Sequence, residues 1–264
     1  MGSARLVRRV PVTEVVEELR SIPAEKFTLE CLDDYLTGLI LDQRTLEPYL
    51  NFRDNAYTRN LVFRNELFEV LVLCWDVGQK TPVHNHRGQL GWMSVQQGML
   101  SMLNYKRLDC SAACHLERRW SKVALADDIP IAGVGFVAHV SRQETIHQIY
   151  NDPAFQQRAV SLHIYSKPFD SCVVYDVARQ TCSDKVLSNY TEGGKFVIPD
   201  PASVALMDGP RCADPSTLTA SAGGDGREGA RFRPGGSVKT VFDPAVTPLS
   251  FEVPDDEEQF VIER

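Results

Sequence analysis

The sequence predicts a mainly β protein, a sandwich or barrel of short strands with helices at its N-terminus. Three observations predict it. From about residue 55, β-branched and aromatic runs recur at short intervals ("LFEVLVLCWDVG", "GWMSVQQG", "MLSMLNYKRL", "GVGFVAHV", "HQIYN", "RAVSLHIYSKPF"), each bounded by Gly, Asn, Asp or Pro. Before them, residues 12–50 follow a helical period instead. No alternation of helices with strands is visible, which argues against a parallel βαβ sheet, and no repeat of 20–50 residues is found.

Taken in order, residues 1–54 form the helical segment. "TLECLDDYLTGLI" places Leu29, Leu32, Tyr35, Leu36, Leu39 and Ile40 on one stripe of a 3.6-residue helix, a face that must be buried against something else. Residues 55–190 carry the strands. Residues 191–264 are a C-terminal extension. Within it "DGPRCADPSTLTASAGGDGREGARFRPGGS" has no apolar period and reads as a long loop, while "VKTVFDPAVTPLSFEV" can supply short strands.

Composition narrows the function classes. A chain of 264 residues can bury a full-sized core, and 43% hydrophobic with 24% charged residues is ordinary for a soluble domain. The net charge of −7, with no lysine or arginine stripe beyond "RLVRR", argues against nucleic acid as a partner. Glu14, Glu17 and Glu18 stand where a signal peptide needs an apolar run, and no 20-residue apolar span occurs, so a cytoplasmic location away from membranes is expected. The seven scattered cysteines then read as reduced thiols. "CSAACH" has the spacing of a zinc half-site but lacks a second pair to complete it.

Chemistry concentrates in the histidines. His84 and His86 are two apart, so on a strand both imidazoles converge on one side. By itself this is weak, since alternating polar residues are ordinary on a half-exposed strand. The apolar runs on both sides make the strand a buried one, where a histidine needs a partner. Of the other four, His115 reads as solvated, His139 as an ordinary strand residue, and His147 opens a strand-like run after a turn. In "AVSLHIYSKPF", Ser161, His163 and Tyr165 share one strand face. A hydroxyl, an imidazole and a phenol in line can relay protons, although the same pattern also suits a polar face bonded to loops. Arg59, in "AYTRNLV", has no acid beside it in sequence. It is either a surface residue or, turned inward, a planar fork for a carboxylate.

The frame of Gly78, five residues, His84-x-His86 and Gly98 twelve residues on resembles the first motif of the cupins, and His147 with Asn151 resembles the second. The usual glutamate ligand is replaced by Gly91. Three neutral imidazoles would therefore leave a dipositive centre with open positions, and ligand type alone suits iron, zinc, copper or nickel.

Taken together, "YTRNLV" (57–62), "LCW" (73–75), His84-x-His86, His147 with Asn151, "AVSLHIYS" (159–166) and "PFDSC" (168–172) resemble the cysteine dioxygenase family of cupin-fold thiol dioxygenases, in the expected order. The resemblance implies a cupin, that is a double-stranded β-helix or jelly-roll barrel, with Fe(II) held by His84, His86 and His147. It implies that Arg59, helped by Tyr57 or Tyr165, binds the substrate carboxylate, and that Ser161, His163 and Tyr165 form a hydrogen-bonded chain beside the metal. The partners would be a small-molecule thiol and O2, with a monomer as the expected assembly. The reaction implied is oxidation of L-cysteine to its sulfinate. A small mercapto-acid such as 3-mercaptopropionate is the nearest alternative substrate, and a non-catalytic metal-binding cupin, a sensor or binding module, is the alternative of another class.

Two departures from animal members are visible. Gly91 stands where they carry the cysteine that forms a thioether to the tyrosine at the position of Tyr165, so that crosslink is not expected here. Lys167 stands where they have a proline preceded by a cis bond, and because a non-proline cis bond costs about 2.5–4 kcal/mol, a trans bond is expected.

Overall fold

The computed structural model describes residues 7–110, 119–126, 131–141 and 145–197. The "CSAACH" motif from residue 111 on, and the extension from residue 198 on with its expected loop and strands, lie outside the described residues.

Strand β1 (Arg8–Val10) leads into α1 (Val12–Ser21), α2 (Leu29–Leu36), β2 (Leu39–Leu41) and the short α3 (Gln43–Leu46). Helix α1 turns Val12, Val15, Val16 and Leu19 inward. Thr28 caps α2, its hydroxyl accepting from the Cys31 N–H at 3.3 Å. The apolar stripe read from the sequence runs on to Ile40, but the helix stops at Leu36. Gly38 adopts φ +79°, a left-handed conformation that ends the helix, and Leu39 and Ile40 continue as β2, parallel to β1.

Among the described residues, the strands other than β1 and β2 form two sheets of seven. The first is ordered β10 (Val137–Val140), β6 (Leu90–Gln97), β12 (Ala159–Ser166), β4 (Phe68–Trp75), β3 (Thr58–Arg64), β15 (Thr191–Glu192), β16 (Lys195–Phe196). The second is ordered β11 (Ile146–Tyr150), β5 (Val83–His84), β13 (Ser171–Asp176), β14 (Thr181–Val186), β8 (Arg119–Leu125), β7 (Leu100–Cys110), β9 (Ile131–Ala132). A further pairing of β11 with β7 curls this sheet back on itself. Two curled, mostly antiparallel sheets around one interior are the cupin barrel.

All eight residues of β4 are buried because both of its faces are covered. Phe68, Val70, Val72 and Cys74 pack with the helical segment, together with Val160, Leu162 and Ile164 of β12. Leu71, Leu73 and Trp75 face the barrel interior with Met93, Ile149 and Tyr165. The helices therefore close the outer face of the first sheet, and the inner face is left for the site. Two polar contacts hold that packing. The Leu41 N–H donates to Gln96 Oε1 at 2.7 Å, and His139 Nδ1 lies 2.8 Å from Asp33 Oδ2 on α2. No helix among the described residues is long and apolar enough to cross a membrane.

Candidate metal centre

Strand β5 is only two residues long, and Asn85 just after it fixes what surrounds it. The Asn85 N–H donates to the Val173 carbonyl at 3.1 Å, its Oδ1 accepts from the Val173 N–H at 3.2 Å, and its Nδ2 donates to the Tyr175 hydroxyl at 3.3 Å. With Asn85 tied to β13, His84 and His86 both turn the other way, inward. Arg87 and Gly88, both at positive φ, then reverse the chain into β6. His147 of β11 pairs directly with His84. The third imidazole thus arrives by strand register, 63 residues along the chain from His84 by the numbering.

The three rings stand 4.8 to 4.9 Å apart between centroids, and one nitrogen from each lies within 4.8 Å of the others. Their hydrogen bonding fits a cation. His84 Nδ1 lies 2.9 Å from the Pro82 carbonyl, which can only accept, so Nδ1 carries the proton and Nε2 keeps its lone pair. His86 Nδ1 and both nitrogens of His147 are buried with no protein partner. Buried polar atoms are nearly always paired, so orphaned nitrogens on converging rings mark a place for a ligand ion. Burial lowers all three imidazoles, His84 to about 4 and the other two well below their ordinary value, with the neighbouring rings pushing His86 and His147 further. They are therefore neutral at physiological pH, the form that binds a metal.

Beside the histidines runs a hydrogen-bonded chain on the inner face of β12. The Trp75 Nε1–H donates to Ser161 Oγ at 2.9 Å, Ser161 Oγ meets His163 Nε2 at 2.9 Å, and His163 Nδ1 meets the Tyr165 hydroxyl at 3.2 Å. The sequence pattern of alternate Ser, His and Tyr predicts the last three, and Trp75 is an addition. Burial lowers His163 to about 3 and raises Tyr165, against the opposing pull of Arg59 on the phenol. The imidazole thus has one proton to share between two partners, and the phenol keeps its own.

The Tyr165 ring stacks on His86 at 5.7 Å and meets Phe169 edge-on at 5.0 Å. It sits opposite Gly91 across the strand pair. A Cβ at Gly91 would stand 2.7 Å from Tyr165 Cδ1, so the absence of a side chain is what lets the phenol occupy this place. Among the described residues, Cys31, Cys74 and Cys172 are free thiols. The Ser166–Lys167 bond is trans, with Lys167 at φ +63° and its N–H donating to the Leu67 carbonyl at 2.7 Å.

Tyr57 and Arg59 line the same cavity as His84, His163, Tyr165 and Phe169. Tyr57 is held by stacking on Trp75 at 4.7 Å, and burial raises its phenol so that it stays a donor. Arg59 points inward with 11% of its side chain exposed, and its Nε has no protein partner. Sequence reasoning missed Glu69, which is 1% exposed and brings a carboxylate within 3.9 Å of Arg59 Nη2. A signal for it existed, since Glu69 is the single charged residue in "LFEVLVLCW".

A sequence description of the cysteine dioxygenase type I family matches residues 40–178, more than half of the chain and the whole span of the site. This chain belongs to the cysteine dioxygenase family. Cysteine dioxygenase type 1 of Danio rerio is 28% identical over 178 residues, covering 67% of this chain and 84% of its own length. The Bos taurus protein of the same name is 29% identical over 154 residues, 58% of this chain and 70% of its own. Among solved structures, TT1209 of Thermus thermophilus is 15% identical with a TM-score of 0.33, covering 46% of this chain and 93% of that one. Membership makes the protein an oxidoreductase of the dioxygenase class, acting on a small molecule and O2.

Proposed function

We propose that the protein uses Fe(II) to convert L-cysteine and O2 to cysteine sulfinate. His84, His86 and His147 would hold the iron, which supplies the redox centre where a thiolate and O2 can react. One observation carries the choice of substrate class: Arg59 and Tyr57 line the same cavity as His84, one member of the three-histidine group. A ligand anchored there needs an acceptor for a guanidinium at one end and a group that reaches the imidazoles at the other. A small thiol with a carboxylate has both.

The chain's own groups have distinct tasks in this reading. Arg59 pairs with the carboxylate through charge-assisted bonds, its Nε–H having no protein partner. The Tyr57 and Tyr165 phenols stay protonated and donate to substrate oxygens. Ser161 and His163 keep the Tyr165 hydroxyl oriented, and because His163 is neutral its single proton can sit on either nitrogen, letting the chain pass a proton in either direction. Leu73, Ile149 and Phe169 restrict water.

The test is O2 uptake and sulfinate formation by protein loaded anaerobically with Fe(II) or with Zn(II), given L-cysteine, 3-mercaptopropionate and cysteamine, for wild type and Arg59→Ala. Iron and not zinc should support turnover, since zinc has no redox chemistry. L-cysteine should exceed cysteamine in kcat/KM by roughly tens- to thousands-fold, the range set by losing one partner of a buried charge pair. Arg59→Ala should collapse that preference. Equal sulfinate from the zinc protein would refute the iron chemistry, and cysteamine matching both acids would remove Arg59 as the anchor. A preference for 3-mercaptopropionate would change the substrate and keep the reaction.

A further inference from the structure

Glu69 is a buried acid that the reaction as proposed does not use. It lies on the inner face of β4, opposite Tyr165 on β12, at the end of the strand pair away from Trp75. Two arginines approach it from β3. Arg59 Nη2 is 3.9 Å from Oε1, and Arg64 Nη1 is 3.9 Å from Oε2. Arg64 reaches this point because a bulge between Leu61 and Phe63 shifts the register of β3 and puts Arg64 opposite Glu69.

The two arginines are not equivalent. Arg64 has a closer partner, Asp170 Oδ1 at 2.7 Å, at the solvent edge. Among the described residues Glu69 is the only carboxylate within 4 Å of Arg59, whose side chain is almost wholly buried. An arginine cannot shed its charge when buried, so its site must supply a counter-charge or let the side chain move toward water. The separation of 3.9 Å is too long for a hydrogen bond, and both Arg59 Nε and Glu69 Oε1 remain unpaired in the protein. The acid therefore attracts the guanidinium without occupying its donors, which stay available to a ligand. Burial raises Glu69, while the two arginines and the Phe169 backbone N–H act in the opposite sense.

We propose that Glu69 is a positioning residue for Arg59: from behind the cavity it holds the guanidinium in place for a substrate carboxylate, and so sets the preference for carboxylate-bearing thiols. The proposal rests on the reading of Arg59 as the carboxylate anchor. Glu69 is absent from the lining of the cavity it shares a wall with, so it acts through Arg59 and not on the substrate.

The experiment compares wild type, Glu69→Gln, Glu69→Asp and Arg59→Ala as iron-loaded full-length proteins. It measures anaerobic calorimetric binding and steady-state kinetics with L-cysteine and with cysteamine. Glu69→Gln keeps the shape and removes the charge. Its Kd and KM for L-cysteine should rise about tenfold, equivalent to 1.4 kcal/mol, while its values for cysteamine stay within roughly twofold of wild type. Glu69→Asp, with the charge drawn back by one methylene, should restore part of the cysteine affinity. A general loss of packing would instead weaken both thiols alike, and that result overturns the proposal. So does unchanged or tighter cysteine binding by Glu69→Gln. If Glu69→Gln is insoluble, the same comparison is made on Glu69→Asp, where a cysteine-selective loss smaller than that of Arg59→Ala is expected and an equal loss for both thiols overturns it. Arg59→Ala separates the two ideas. If Arg59→Ala weakens both thiols alike, so that the wild-type preference survives, the anchor reading fails and takes Glu69 with it. If Arg59→Ala weakens L-cysteine selectively and neither Glu69 variant does, only the role of Glu69 fails.

Discussion

Replacing Gly91 by alanine probes the centre with a single methyl group. An added Cβ would stand 2.7 Å from Tyr165 Cδ1, 2.8 Å from Tyr165 Cε1 and 2.9 Å from Val140 Cγ2. Carbon atoms in contact sit about 3.5–4.0 Å apart, so the phenol ring must retreat by roughly 1 Å. It has little room, because it is stacked on His86 and held edge-on by Phe169. Overpacking of this kind costs about 1–3 kcal/mol, and at about 2–4 °C per kcal/mol for a domain of this size the melting temperature should fall by about 2–12 °C. The hydroxyl moves with the ring. Its contact with His163 Nδ1 is already 3.2 Å, so a shift of this size breaks it. Misplacing a catalytic group by about 1 Å can lower turnover by about 10²-fold. The assay is a double-mutant cycle with Tyr165→Phe, following thermal melts and L-cysteine turnover of the iron-loaded proteins. Tyr165→Phe keeps the ring, so the stability loss from Gly91→Ala should persist in that background. The turnover loss should disappear there, because the hydroxyl has already gone. A Gly91→Ala protein as stable and active as wild type would show that the ring does not lie over residue 91. An undiminished turnover loss in the Tyr165→Phe background would show that the hydroxyl is not the route.

Two further outcomes are expected. His163→Ala should lower turnover by about 10²–10⁴-fold with iron content near wild type, measured by metal analysis, since His163 bonds to Ser161 and Tyr165 and orients groups; loss of the iron would make His163 a ligand instead. The metal-free protein should be acid-labile in part through His163. Its imidazole is lowered to about 3 in the fold and regains about 6.5 on unfolding, so its contribution is complete above pH 6.5 and is lost as pH falls toward 3. Denaturant titrations of chelated protein between pH 6 and pH 4 should therefore show a slope shallower by about 1.4 kcal/mol per pH unit in His163→Asn, and equal slopes would refute the buried neutral state.

Much of this arrangement is local and therefore legible in the sequence. The period of two in "AVSLHIYS" puts Ser161, His163 and Tyr165 on one face wherever the strand lies, because alternation is a property of extended backbone. The same rule sends His84 and His86 to one side. The missing side chain at Gly91 excludes a thioether from that position whatever the fold. The N-terminal helices were readable from their apolar stripes, but not their ends. Leu39 and Ile40 fit the helical period, and only the left-handed turn at Gly38 and the pairing of β2 with β1 take them out of it.

What the tertiary structure decided is which distant residues meet. His147 reaches His84 through the register of β11 with β5, a long-range pairing that no local period encodes. Trp75 looks in sequence like one more core aromatic. Its indole N–H becomes the start of the hydrogen-bonded chain only because β4 and β12 lie side by side. Arg59 has no acid near it in sequence. Glu69 becomes its counter-charge because β3 and β4 pair as a hairpin, and Arg64 joins them through the bulge in β3. Side-chain alternation is set by the strand a residue belongs to, whereas a site is made by strands brought together across the barrel. The residue types and their faces are thus written in the sequence, and the distances between them come only from the packing of the two sheets.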